Sequence, residues 1–81
     1  MTVNQLGKIL RQMYDNAPEG YQVANIHFFG VKYANVITDN GYTPKEIVKA
    51  SGINESYATE VNKGIKLSLY VVPKEGYQNK Y

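Results

Sequence analysis

The chain contains one histidine, His27, and chemistry at a histidine needs partners that this sequence does not supply. Proton transfer or metal ligation by an imidazole requires a second ligand or an orienting carboxylate. There is no cysteine and no second histidine, and no carboxylate near His27 stands at a ligand-like spacing. No metal or other cofactor is expected, and His27 reads as a residue at a helix start near the domain surface. No serine has a visible base partner, the carboxylates are scattered, and the glycines form no phosphate-cradling loop. Catalysis lacks its parts, so the chain is not expected to be an enzyme.

What remains is non-covalent chemistry, for which composition sets bounds. Eighty-one residues suffice for one domain with one small core. Apolar residues make up 43% and charged residues 20%, an ordinary globular balance rather than a disordered one. The absence of cysteine fits a reduced, cytoplasmic setting. The apolar runs are too short to span a membrane, and Met1–Tyr14 lacks the apolar core of a signal peptide. A net charge of +2 permits a polyanionic partner without demanding one. Eight tyrosines against two phenylalanines and no tryptophan are unusual, and tyrosine suits both core edges and interfaces.

The elements that must position any site follow from spacing and caps. Thr2 caps a helix carrying Val3, Leu6, Ile9 or Leu10, Met13 and Tyr14 on one stripe. It stops near Asn16, because Pro18 disfavours helical geometry at Ala17, and Glu19-Gly20 turns the chain. From about Asn25 to Asp39 a second helix is predicted, with Asn25 as its cap and Asn40-Gly41 as its left-handed end. Ile26, Phe29, Gly30, Tyr33 and Ile37 share a face, which makes this the central helix. Gly30 costs it about 1 kcal/mol relative to alanine and marks a place where another helix comes close. Residues 65–72 alternate with period two up to Pro73 and read as a C-terminal strand. Such a strand needs a pairing partner, either an extended piece near Tyr21–Val23 or the same strand of a second copy. Residues 74–81 read as a flexible tail of the single domain spanning 1–81.

Residues 43–64, TPKEIVKASGINESYATEVNKG, carry the densest signal. Thr43 is a cap, Pro44 suits the first helical position, and Glu46 completes a capping box. Ile47, Val48 and Ala50 continue this third helix to Gly52, a residue at home in a left-handed turn. Ile53 plugs the turn. Asn54 then caps a fourth helix whose Ala58 and Val61 face inward, and Gly64 ends it. The fold class is thus mainly α, with four short helices and the C-terminal strand. Two short helices crossing steeply over a tight glycine turn have this recipe.

The order resembles the helix-turn-helix of bacterial repressors and other small bacterial or phage DNA-binding proteins, over about a quarter of the chain. Val48, Gly52, Ile53, Ala58 and Val61 fall on the positions that hold that motif together. Val48 departs from the more usual alanine and implies a slightly wider crossing. The phrases IHFFGVKYANVI and YATEVNKGIKLSLYVV are also similar to a small group of bacterial helix-turn-helix-like proteins.

The resemblance implies that the fourth helix lies in the major groove of double-stranded DNA. Its outward residues would be Glu55, Ser56, Thr59, Glu60 and Lys63, with Tyr57 at the margin, Lys66 just beyond, and Lys45 and Lys49 flanking from the third helix. Ser56, Thr59 and Tyr57 can bond phosphates or base edges, and the lysines neutralise phosphate charge. Four lysines and three glutamates leave residues 43–66 at only +1. Because phosphate neutralisation supplies most non-specific affinity, a homodimer or a larger complex is expected. The acidic fourth helix and the tyrosines leave a second expectation open. The hairpin could instead dock a protein partner, as would a phage or mobile-element protein acting on a DNA-processing complex.

Overall fold

A computed structural model describes residues 1–75, so most of the tail expected over 74–81 lies outside the described residues. Four α-helices follow in order: α1 (Val3–Asp15), α2 (Gln22–Asp39), α3 (Pro44–Ser51) and α4 (Ala58–Leu67). A single 3-10 turn, Glu55–Tyr57, leads into α4.

α1 forms as its sequence dictates. The Thr2 hydroxyl accepts from the Gln5 amide at 3.1 Å, and the Gln5 side chain accepts from the Thr2 amide at 2.8 Å. This capping box satisfies two amide groups that the first turn would otherwise leave unpaired. Leu6, Leu10 and Met13 are fully buried on one stripe, and the helix is capped at Asn16 as expected.

α2 is longer than expected. It starts at Gln22 rather than after Asn25, with no side-chain cap at Tyr21. Asn25 has a different use: its Nδ2 donates to the Met13 carbonyl at 2.8 Å and ties the second helix to the end of the first. A capping role was therefore the wrong reading of this asparagine, because a tertiary acceptor was close enough to take its donor. The apolar face is the expected one, with Ile26, Phe29, Gly30, Tyr33 and Ile37 buried and Ala34 joining them. Gly41, at φ +70°, supplies the left-handed step after the helix.

One core gathers Leu6, Leu10 and Met13 of α1, Ile26, Phe29, Tyr33 and Ile37 of α2, Ile47 and Val48 of α3, Ile53 of the turn, and Val61 of α4. α2 packs chiefly on α4, and α1 chiefly on α3.

The C-terminal strand over 65–72 is not formed, and no strand occurs among the described residues. α4 continues through Ile65 and Lys66 to Leu67. The chain then tightens, with the Leu69 amide donating to the Lys66 carbonyl at 3.2 Å and the Tyr70 amide to that of Leu67 at 2.9 Å. The reason is backbone satisfaction. A period-two run has no ladder to join here, whereas helix and turn bonds pair the amides as far as Val71. Ile65 also falls four residues after Val61, on the same inner face. Gly64 accordingly does not end α4 but lies buried within it.

Candidate nucleic-acid interface

α3 begins on the predicted capping box. The Thr43 hydroxyl accepts from the Glu46 amide at 3.2 Å, and Glu46 accepts in return from the Thr43 amide at 2.8 Å. Glu46 is thereby committed to the helix start. Val48 is fully buried, and Gly52 adopts φ +79°, a left-handed conformation that strains any residue with a Cβ. Between them a device appears that the sequence reading missed. The Ser51 hydroxyl donates to the Val48 carbonyl at 2.6 Å and accepts from the Ile53 amide at 3.2 Å. It clasps the turn from inside and leaves no buried polar group unpaired there. The only sequence signal was a serine directly before the turn glycine.

The Asn54 side chain accepts from the Ser56 amide at 2.9 Å and starts the 3-10 turn. α4 follows with Val61 and Gly64 buried and Ala58 and Ile65 half-buried, which seats one face on the core. Its hold on α2 is unusually close. A Cβ on Gly30 would stand 2.6 Å from the Val61 carbonyl oxygen and 2.8 Å from Gly64 Cα, and a Cβ on Gly64 would run into the His27 carbonyl oxygen. The helix approach expected at Gly30 is thus real, and α4 is the helix that makes it.

With one face seated, the opposite face is presented. Ser56, Thr59, Lys63 and Lys66 are all exposed there, together with Glu55 at the start. Asn62 completes the stripe, since Thr59, Asn62, Lys63 and Lys66 follow helical spacing of three and four. Lys45 and Lys49 are exposed on α3.

Two of the expected site residues are engaged elsewhere. The Tyr57 ring tilts against that of Tyr14 with centroids 5.5 Å apart. A hydrogen bond with Tyr14, then the proximity of that second phenol, pushes the Tyr57 hydroxyl up from its ordinary pKa, so it stays a neutral phenol. Glu60 leans towards α2, where its Oε1 lies 2.7 Å from His27 Nε2, and its Oε2 takes Lys63 Nζ at 3.3 Å. A carboxylate only accepts, so the imidazole N–H donates. This bond from His27 holds the Glu60 carboxyl below its usual pKa against partial desolvation, with Lys63 assisting. The Glu60 side chain is 21% exposed and that of His27 33%, so the pair closes the α2–α4 seam at its edge.

The electrostatic consequence changes the reading of the fourth helix. Of the three glutamates in 43–66, Glu46 caps α3 and Glu60 is paired with His27 and Lys63. The Glu55 carboxylate has no bonded partner among the described residues. Two of these carboxylates are thus turned to a cap and to the α2–α4 seam rather than outward, while Lys63 is itself held by Glu60 and the formal charge of the segment stays +1. A further cation stands near the turn. Arg11 of α1 pairs with Asp15 at 2.9 Å and brings its Nη1 within 3.4 Å of where a Cβ on Gly52 would sit.

No helix among the described residues is long and apolar enough to cross a membrane. Neither the curated proteins nor the solved structures include a match to this chain. The family described as HTH-like domain, however, matches residues 2–74, taking in all four helices and the turn between α3 and α4. With nearly the whole chain covered, and with a clasped glycine turn between two capped helices at its centre, the protein belongs to the HTH-like domain family.

Proposed function

We propose that this protein reads DNA sequence through α4, as a transcriptional regulator or a DNA-targeting accessory that works as a homodimer. The observation that carries this reading is the outward stripe Thr59, Asn62, Lys63 and Lys66 on a helix whose other face is seated on the core, with Ser56 exposed in the 3-10 turn before it. Hydroxyls and an amide are the groups that read base edges, and asparagine can bond adenine with two hydrogen bonds. The lysines at the C-terminal half of the stripe, with Lys45 and Lys49 exposed on α3, would meet phosphates and fix register. Two copies double the number of phosphates neutralised and so supply affinity that one copy lacks.

Docking of a protein partner by the same hairpin drew its support from an acidic fourth helix together with the abundant tyrosines. With Glu60 turned to His27 and Lys63, the acidic part of that support reduces to Glu55.

Fluorescence titration against random and genomic duplexes at two salt concentrations tests the proposal. Binding should weaken steeply with salt. Lys63→Glu should lower affinity and reduce the log–log salt slope by about one, the loss of one phosphate contact. Absence of duplex binding at low salt, or an unchanged slope in the variant, would overturn it. A lysate pull-down whose partners survive nuclease treatment would favour protein docking instead.

A further inference from the structure

α4 carries a residue that the fold does not use. Asn62 stands exposed in the middle of the helix, and asparagine is among the weaker helix formers. Other asparagines of the chain serve the structure. Asn25 donates to the Met13 carbonyl, Asn40 donates to the Val36 carbonyl, and Asn54 accepts from the Ser56 amide. The Asn62 carboxamide bonds to nothing among the described residues, so its donor and its acceptor both face water. A locally unfavourable residue with no structural use points to a ligand.

Its neighbours on the helix narrow what that ligand is. Successive residues turn by about 100°, so Glu60 and Asn62 fall on opposite flanks of the outward stripe. The Glu60 carboxylate, engaged by His27 and Lys63, is thereby kept away from Asn62. Thr59, one turn before Asn62, is exposed and offers a methyl group beside its hydroxyl. Side chains three positions apart have Cβ atoms about 5–6 Å apart, against a rise of about 3.4 Å per base pair. Thr59 and Asn62 can therefore reach the same base pair or two adjacent ones. Guanine is the base that arginine and lysine read. Arg11, the chain's one arginine, lies on α1 and pairs with Asp15. Lys63 is held by Glu60, and Lys66 stands a turn beyond Asn62 at the end of the helix.

We infer that α4 selects duplexes carrying adjacent A·T pairs, with Asn62 bonding the edge of an adenine and the Thr59 methyl packing on the methyl of a thymine. The inference rests on the DNA-reading proposal and names what that helix reads. The Asn62 carbonyl accepts from the adenine N6 amino group while its amide donates to N7, a pairing that only adenine offers in the major groove. The thymine methyl is the one apolar group on a base edge there, and the threonine methyl is a partner for it. Lys66 is left for the flanking phosphate, which fixes the register of the two readers.

Selection of duplexes from a random pool by the full chain at low salt, followed by fluorescence titration of the selected duplex, tests the assignment. Adjacent A·T pairs should recur among the selected sequences. Asn62→Ala should bind the selected duplex about tenfold more weakly, with the log–log salt slope unchanged because no phosphate contact is lost. Alanine is the better helix former, so an unfolding midpoint at or above the parent's separates lost binding from lost fold. Replacing the selected adenine by 7-deazaadenine, which lacks the N7 acceptor, should weaken the parent and leave Asn62→Ala nearly unaffected. Uracil in place of the selected thymine removes only the methyl. It should weaken the parent and have little effect on Thr59→Ser, which keeps the hydroxyl alone. Guanine selected in place of adenine, no recurring base pair, equal deazaadenine losses in parent and variant, or a reduced salt slope in Asn62→Ala would each overturn the assignment while duplex binding stands. Absence of any duplex binding at low salt overturns the DNA-reading proposal itself, and the assignment with it.

Discussion

At the α2–α4 crossing both helices bring glycine, Gly30 and Gly64, whereas α1 meets α3 with Gly7 on one side and Ala50 on the other. In the first crossing backbone lies on backbone, and the nearest atoms to an added Cβ are carbonyl and Cα atoms that cannot rotate aside. In the second, a methyl group stands between part of the two backbones, with a Cβ on Gly7 falling 2.8 Å from Ala50 Cβ. The difference teaches where the domain tolerates adjustment. α4, which presents the candidate interface, meets backbone alone at this crossing, while α3 meets α1 through one methyl group as well as the backbone of Ala50 and Ser51.

Gly64→Ala should break the tighter crossing and have the largest effect. Alanine gains about 1 kcal/mol of helix propensity over glycine, yet its Cβ collides with the His27 carbonyl oxygen. A net loss of about 3 kcal/mol is expected in urea unfolding. A neutral or stabilising result would mean that α4 can slide on α2. Gly7→Ala should cost less, about 1–2 kcal/mol. Part of that loss should return in the double variant with Ala50→Gly, a coupling that a thermodynamic cycle measures. No recovery would show that the backbone of Ala50 and Ser51, 2.9 Å from the added Cβ, is the true obstacle.

The turn between α3 and α4 offers a third comparison. Ser51→Ala removes the acceptor of the buried Ile53 amide, and about 1–2 kcal/mol should be lost. Gly52 would be left to hold the turn alone. The smallest effect belongs to the polar edge of the α2–α4 seam. The Glu60 carboxyl is held below its ordinary pKa in the folded chain. Its pairing therefore contributes stability above the unfolded carboxylate range, near pH 4.3, and that contribution fades as pH falls through the folded value. Glu60→Gln should unfold at slightly lower denaturant than the parent at neutral pH, and the two midpoints should converge in strong acid. A gap that widens in acid would contradict the pairing with His27.

Much of this arrangement was legible in the residues. Both capping boxes, the glycine turn at Gly52, the inward Val48 and Val61 and the central face of α2 follow from short-range rules, because caps and periodicity act within a few residues. The close approach at Gly30 was readable too, as an otherwise costly glycine inside an apolar helix. The site was read less fully. Ser56, Thr59, Lys63 and Lys66 emerged on the outward stripe as expected. Asn62 was missed, Glu60 was placed facing outward although it leans on α2, and Tyr57, expected at the margin, stacks on Tyr14 of α1.

Sequence by itself determined the local pieces: where helices begin, where the chain can turn left-handed, and which faces are apolar. Tertiary structure alone decided which pieces meet. It brought His27 to Glu60 across thirty-three positions, Tyr14 to Tyr57, and Asn25 to the Met13 carbonyl. It also decided the end of α4, since alternation over 65–72 specifies a strand only where another strand can pair with it. Here the backbone bonds to itself instead, as a helix to Leu67 and as turns to Val71. Long-range partners carry no local signature, and so a carboxylate read as a repulsive face of the fourth helix turned out to be part of the seam that holds that helix in place.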